Sequence, residues 1–197
     1  GKSRLLNEVR IQALVNGVIV FTGQSSDIGS HPYDLWQDII PQLLLETTPT
    51  LEQSQHLLDI VSNVQAYIDT DILPQSSLQD RARFQALTIS LSDLFKQVSR
   101  PILLIAEDLH WATESIALLQ QICYLVEAIP LMIIGSYRDD ASPYLIGKFP
   151  TAHDIRLDRL TRDDIIKASE SMLGKVGTQP QIVDLLERQS EGNAFFM

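Results

Sequence analysis

Two apolar runs without alternation constrain the fold more than anything else in the sequence: "PILLIA" at 101–106 and "PLMII" at 130–134. A strand with one wet face alternates apolar and polar residues. A continuous run is buried on both faces, as in parallel sheets covered by helices. "VIVFTG" at 18–23 is a shorter, β-branched run of the same kind. Between the runs the period changes to that of helices. Leu5, Leu6, Val9, Ala13 and Leu14 share one face of a helix that Gly17 ends. Three helical patterns follow, at about 33–45, 51–68 and 78–98. The second places Leu57, Val61, Val64 and Ile68 on one face, and the third Phe84, Leu87, Leu91, Leu94, Phe95 and Val98. After 106 the spacing predicts a helix capped near Thr113 or Ser115, with Leu119, Ile122, Cys123 and Val126 inward. A weaker strand is expected over 154–157. Thr161, three residues before Asp164, is a capping-box start to another helix, and "QPQIVDLLERQ" forms a last one. Strands alternating with helices mean βαβ units, hence an α/β fold with a mostly parallel sheet.

Composition narrows the function classes. The chain has 197 residues and a formal net charge of -10, with 45% hydrophobic residues. That suits one sizeable globular domain with a small appendage. An acidic chain lacks the clustered Lys and Arg of a nucleic-acid grip, so no direct nucleic-acid contact is expected. No apolar run reaches the roughly 18 residues of a membrane span; "ICYLVEAIPLMII" is broken by Glu127 and Pro130. No membrane partner is expected, and the location read from these features is cytoplasmic. Cys123 is the one cysteine, which excludes an internal disulfide and reads as a buried, inert thiol. The chain opens on Gly1 and shows no signal peptide, so it is expected to be a piece of something longer.

The candidate site begins where the most buried strand ends. Ile102 to Ala106 run straight into Glu107 and Asp108. Adjacent carboxylates at a strand end cost free energy unless something positive faces them. In parallel sheets the site lies beyond the carboxyl ends of the strands, and Arg138 follows another such end. The opening "GKSRLL" is the second half of G-x-x-x-x-G-K-[ST], followed by an amphipathic helix. In that loop, backbone N–H groups and a helix N-terminus cradle phosphates. Its lysine reaches the outer phosphates and its hydroxyl holds Mg²⁺. A strand ending in two acids supplies the opposite wall, one acid on the metal's shell and the next polarising water.

"LLIAEDLHWATES" resembles the Walker B segment of the signal-transduction ATPases with numerous domains, in the branch with AAA-type ATPase domains. "GKSRLL" is similar to that family's Walker A end, "LMIIGSYRDD" to its sensor strand with the arginine, "IRLDRLTRDDI" to the start of its helical lid, and "EGNAFFM" to its terminal motif. The likeness covers nearly the whole chain and is strongest with modules attached to bacterial serine/threonine kinases or LuxR-type regulators. It implies a P-loop NTPase, a three-layer αβα sandwich. The core would span 1–158, with a helical insertion at about 33–98, and a lid would start at 159–197. The first strand and the start of the phosphate loop would precede Gly1, so the chain as it stands is expected to bind nucleotide poorly. The resemblance implies ATP and Mg²⁺ as cofactors and slow ATP hydrolysis used as a switch. Gly1, Lys2 and Ser3 would bind the phosphates, with Ser3 and Glu107 on the metal. Glu107 and Asp108 would be the catalytic pair, Asp108 as base for water, and Arg138 would sense the γ-phosphate. Implied partners are ATP or ADP, neighbouring kinase, cyclase or DNA-binding domains of the same chain, and further copies in ATP-dependent self-association. A non-catalytic nucleotide-binding scaffold is the alternative.

Two positions depart from the family pattern. Thr113 replaces an aspartate and is expected to cap a helix; Ala194 replaces a proline that helps hold the base, which leaves base preference open. His31, His56, His110 and His153 are scattered, so zinc is not expected. No G-x-S-x-G elbow is present, which argues against serine hydrolase chemistry. Trp111 is expected to pack under the next helix, and His110 either orients Asp108 or starts that helix. Asp139 and Asp140 read as solvated loop acids.

Overall fold

The computed structural model describes residues 1–27, 32–58, 60–61 and 80–194. Among them are three strands and seven α-helices. The order is α1 (Lys2–Val15), β1 (Ile19–Gln24), α2 (Asp34–Leu44), α3 (Leu51–Leu57), α4 (Asp80–Gln97), β2 (Ile102–Glu107), α5 (Glu114–Cys123), β3 (Leu131–Gly135), α6 (Arg162–Leu173) and α7 (Pro180–Ser190). The strands form one parallel sheet in the order β1-β2-β3. The three apolar runs are these three strands, and the chain is α/β as the alternation of periods required. No helix among the described residues is long and apolar enough to cross a membrane.

The chain divides into two compact units. One comprises Glu8–Ala152, the other Gly1–Asn7 with His153–Met197.

In the larger unit β2 is the central strand and is buried along its length to Ala106. One face of the sheet offers Ile19, Phe21, Ile102, Leu104, Ala106 and Leu131 to the main core. Helices α2, α4 and α5 bring Leu35, Trp36, Ile39, Leu91, Phe95, Leu119 and Ile122 to the same core. Phe21 and Phe95 meet edge to face with centroids 6.0 Å apart, a favoured geometry for rings. The apolar stripe expected for α4 is buried from Leu87 onward, with Phe84 half-buried. Leu57 and Val61 are buried as expected, whereas Val64 and Ile68 lie outside the described residues. Gly17, at φ 76°, ends α1: Val18 N–H donates to Ala13 carbonyl and Gly17 N–H to Leu14 carbonyl, the two bonds of a Schellman stop. Of the expected α1 face only Leu6 is buried; Leu5 and Leu14 are about half exposed.

In the smaller unit the expected capping box is present. Thr161 Oγ1 accepts from Asp164 N–H, and Asp164 Oδ2 accepts from Thr161 N–H at 3.0 Å. Arg162 bridges α6 to Asp184 and Glu187 of α7. The strand expected at 154–157 is absent. Those residues are exposed and join no ladder, and a short apolar alternation (Ile155, Leu157) is not stable as a strand unless it is paired.

Candidate functional site

The sheet's register brings the acids to its carboxyl edge. Gln24 at the end of β1 pairs with Glu107, and Ala106 pairs with Gly135 at the end of β3. Past these pairs the chain is pinned by Ser136. Its N–H donates to Ala106 carbonyl at 2.8 Å. Its carbonyl accepts from Leu109 N–H at 2.8 Å, and its hydroxyl oxygen accepts from Asp108 N–H at 3.2 Å. Gly135 lets Leu109 close against β3, because a Cβ there would come within 2.6 Å of Leu109 Cδ1. Between these anchors Asp108 adopts φ 55°, a left-handed conformation that costs of order 1–3 kcal/mol outside glycine and clusters at functional sites. Aspartate tolerates it better than most residues.

That backbone turn aims the carboxylate at β1. Gln24 Nε2 donates to Asp108 Oδ2 at 2.8 Å. Gln24's own N–H donates to Asp38 Oδ2 of α2 at 3.2 Å. Gln42, one helical turn on, takes both backbone groups of Thr22: Nε2 donates to the carbonyl at 2.7 Å and Oε1 accepts the N–H at 3.0 Å. Side chains of α2 thus occupy hydrogen-bonding positions along the outer edge of β1 that a further strand would otherwise take. The approach is close: a Cβ on Gly23 would sit 2.4 Å from Leu35 carbonyl oxygen. Thr22, Gly23, Gln24, Asp38, Gln42 and Glu107 line a polar cavity of about 350 Å³. The start of α2 is tied down as well, since Asp34 accepts from Ser26 N–H at 3.0 Å and from Ser115 Oγ at 3.3 Å.

Burial pushes the Glu107 carboxyl above the ordinary glutamate range; the neighbouring Asp108 charge adds to this, and Arg10 opposes it. A carboxyl raised in the folded state binds its proton more tightly there than in the unfolded chain. It therefore lowers stability as pH rises from the ordinary glutamate value through the folded one, and the loss persists above that. Glu107→Gln is accordingly expected to raise the melting temperature of the ligand-free protein at pH 7. The advantage should vanish when the melt is repeated below the ordinary glutamate range, about pH 4. An equal gain at both pH values would show that ionisation is not the cause.

The sequence-derived residues are distributed as follows. Glu107 and Asp108 stand together at the end of β2. Arg138 is exposed in the loop after β3, where its carbonyl accepts from Ser142 N–H at 3.0 Å. Asp139 and Asp140 are exposed in the same loop. Gly1, Lys2 and Ser3 are exposed at the start of α1 and belong to the unit Gly1–Asn7 with His153–Met197, as does Ala194. Thr113 holds the N-cap position of α5, yet its hydroxyl donates to the Glu114 carboxylate and takes no backbone N–H. Trp111 is 43% exposed and does not pack under α5 as expected; its ring lies 4.9 Å from that of His110. Cys123 is half-buried and not fully buried as expected, and Val126, expected inward, is about half exposed; the burial that Cys123 has raises its thiol. Gln24, Asp38 and Ser136 are the groups that sequence reading did not single out. Each needed the strand register to be found, because none carries a motif.

The carboxylates along this edge offer oxygen donors only, which suit Mg²⁺ better than a softer ion. Among the described residues no group of three His, Cys, Asp or Glu side chains could hold a metal by itself. Mg²⁺ characteristically needs no such group, since it keeps several waters and shares substrate phosphates with one or two carboxylates. No family model matches the chain, and no curated protein or solved structure matches it. Fold and site define a class only, an α/β protein with a parallel sheet whose central strand ends in a carboxylate pair.

Proposed function

We propose that the chain is an ATP-binding and ATP-hydrolysing switch module of a larger signalling protein, built on the P-loop NTPase plan with a helical lid beginning near 159. The observation that carries this reading is the end of the central strand, where Glu107 is destabilised as an anion and Asp108 is turned into a left-handed conformation and held by Gln24. A carboxylate that is costly to keep charged gains most from a divalent cation, and a carboxylate with a fixed direction suits activation of one water. In this reading Glu107 would hold Mg²⁺, which would supply charge to screen phosphate, Asp108 would accept the water's proton, and Arg138 would meet the γ-phosphate. The motif at the start of the sequence, and not any packing between the units, assigns Ser3 to the metal and Lys2 and the Gly1 backbone to the phosphates. ATP and ADP then bias how attached kinase, cyclase or DNA-binding domains meet, or how copies associate.

Titration calorimetry with Mg²⁺–ATP on the natural full-length protein, beside Lys2→Ala, tests this. Losing one charge-assisted contact, about 1.5–3 kcal/mol, corresponds to a drop in affinity of roughly tenfold to hundredfold. No binding by the folded wild-type protein would end the nucleotide reading. Binding without turnover would leave a nucleotide-dependent scaffold.

A further inference from the structure

We propose that His110 is a positioning residue for Asp108, the second grip on the carboxylate that Gln24 holds from the other side; the inference rests on the ATPase reading above. The His110 side chain is 2% exposed, and its Nδ1 is buried with no hydrogen-bond partner. A buried polar nitrogen left unpaired is costly, and its persistence calls for a cause. The group it faces is Asp108, whose Oδ1 lies 4.0 Å from Nδ1. Gln24 takes the other oxygen, Oδ2, at 2.8 Å. The two donors therefore flank one carboxylate, oxygen by oxygen.

The separation of 4.0 Å is too long for a hydrogen bond, and about 1 Å of side-chain movement closes it. Bonds at catalytic groups are often long without ligand and tighten when the site is loaded. The Asp108 backbone is already fixed by its N–H to Ser136 Oγ, so closure needs only side-chain rotation. The imidazole is steadied by the tilted Trp111 ring at 41° and 4.9 Å, which gives that half-exposed tryptophan a local role. With the Nδ1–H tautomer donating to Oδ1 and Gln24 donating to Oδ2, the carboxylate plane has one orientation. Each oxygen keeps a second lone pair, so the base can still accept a proton. Orientation of this kind affects turnover more than ground-state binding.

The test compares wild type, His110→Ala and His110→Asn in the full-length protein. ATP turnover, Mg²⁺–ATP affinity and melting temperature are measured for each. Asparagine is the conservative variant because its amide nitrogen can stand near the Nδ1 position. His110→Ala is expected to lower kcat by about tenfold to hundredfold, the usual effect of removing a residue that orients a working group, with the Kd for Mg²⁺–ATP unchanged. His110→Asn should recover most of that loss. Wild-type kcat in His110→Ala overturns the proposal, and so does an equal loss in both variants accompanied by a lower melting temperature. The wild-type measurement reports on the ATPase reading separately. If wild type fails to bind, or binds without turnover, that reading falls and takes this role with it. Turnover in wild type that is indifferent to His110 removes this role alone.

Discussion

Asp108→Asn is expected to lower ATP turnover by about 10²–10⁴-fold, the range attributed to a positioned general base. Nucleotide affinity should be nearly unchanged. The substitution isolates chemistry from structure for a geometric reason. An asparagine Oδ1 can still accept from Gln24 Nε2, the contact now at 2.8 Å, and asparagine tolerates the φ of 55° at this position. The side chain would keep its Gln24 contact and lose its capacity to take a proton, while its amide nitrogen would stand where an oxygen now faces His110. Single-turnover kinetics beside calorimetry reads the two effects apart. Turnover within a few-fold of wild type would remove Asp108 from the chemistry and leave Glu107 as the acid to test. Loss of folding would show that the left-handed turn depends on the carboxylate's charge.

Trp36→Ala is expected to destabilise the protein by about 3–5 kcal/mol, the range for truncating a large buried aromatic residue. That is a large share of the roughly 5–15 kcal/mol that holds a typical domain together. Trp36 is fully buried, and its Nε1–H donates to Ser115 carbonyl at 3.2 Å, joining α2 to the first turn of α5. Both helices flank the site: α2 supplies Asp38 and Gln42, and α5 follows the Asp108 turn. Trp36→Phe keeps much of the volume and drops the donor, so its cost should be smaller, about 1–3 kcal/mol. Denaturant unfolding of the three proteins separates packing from hydrogen bonding. Equal costs for Ala and Phe would mean that the Ser115 bond dominates.

The elements legible in the sequence were those written in local patterns. Continuous apolar runs announced β1, β2 and β3, yet only β2 is buried on both faces; β1 alternates buried and half-buried residues, and Met132 in β3 is exposed, because only the central strand has a neighbour on each side. Thr161 and Asp164 announced the start of α6 because a capping box is closed within four residues. The acid pair was visible because charge directly after such a run is conspicuous. Local pattern failed where a partner decides the outcome. The alternation at 154–157 looked like a strand, but a strand exists only beside another edge. Thr113 looked like a cap, yet its hydroxyl went to Glu114. Trp111 looked like core and lies half-exposed against His110.

The sequence by itself determined an α/β chain, its three strands, and the placement of Glu107 and Asp108 at the end of the most buried one. The tertiary structure alone decided what surrounds those acids. The parallel register set Gln24 beside Glu107, across 83 positions of chain, and so brought its amide to Asp108. The close approach of α2 at Gly23 brought Asp38 and Gln42 to the edge of β1, and the end of β3 brought Ser136 under the turn. Backbone hydrogen bonds between strands carry no side-chain signature. Which polar residue meets which acid is therefore settled only when the sheet forms.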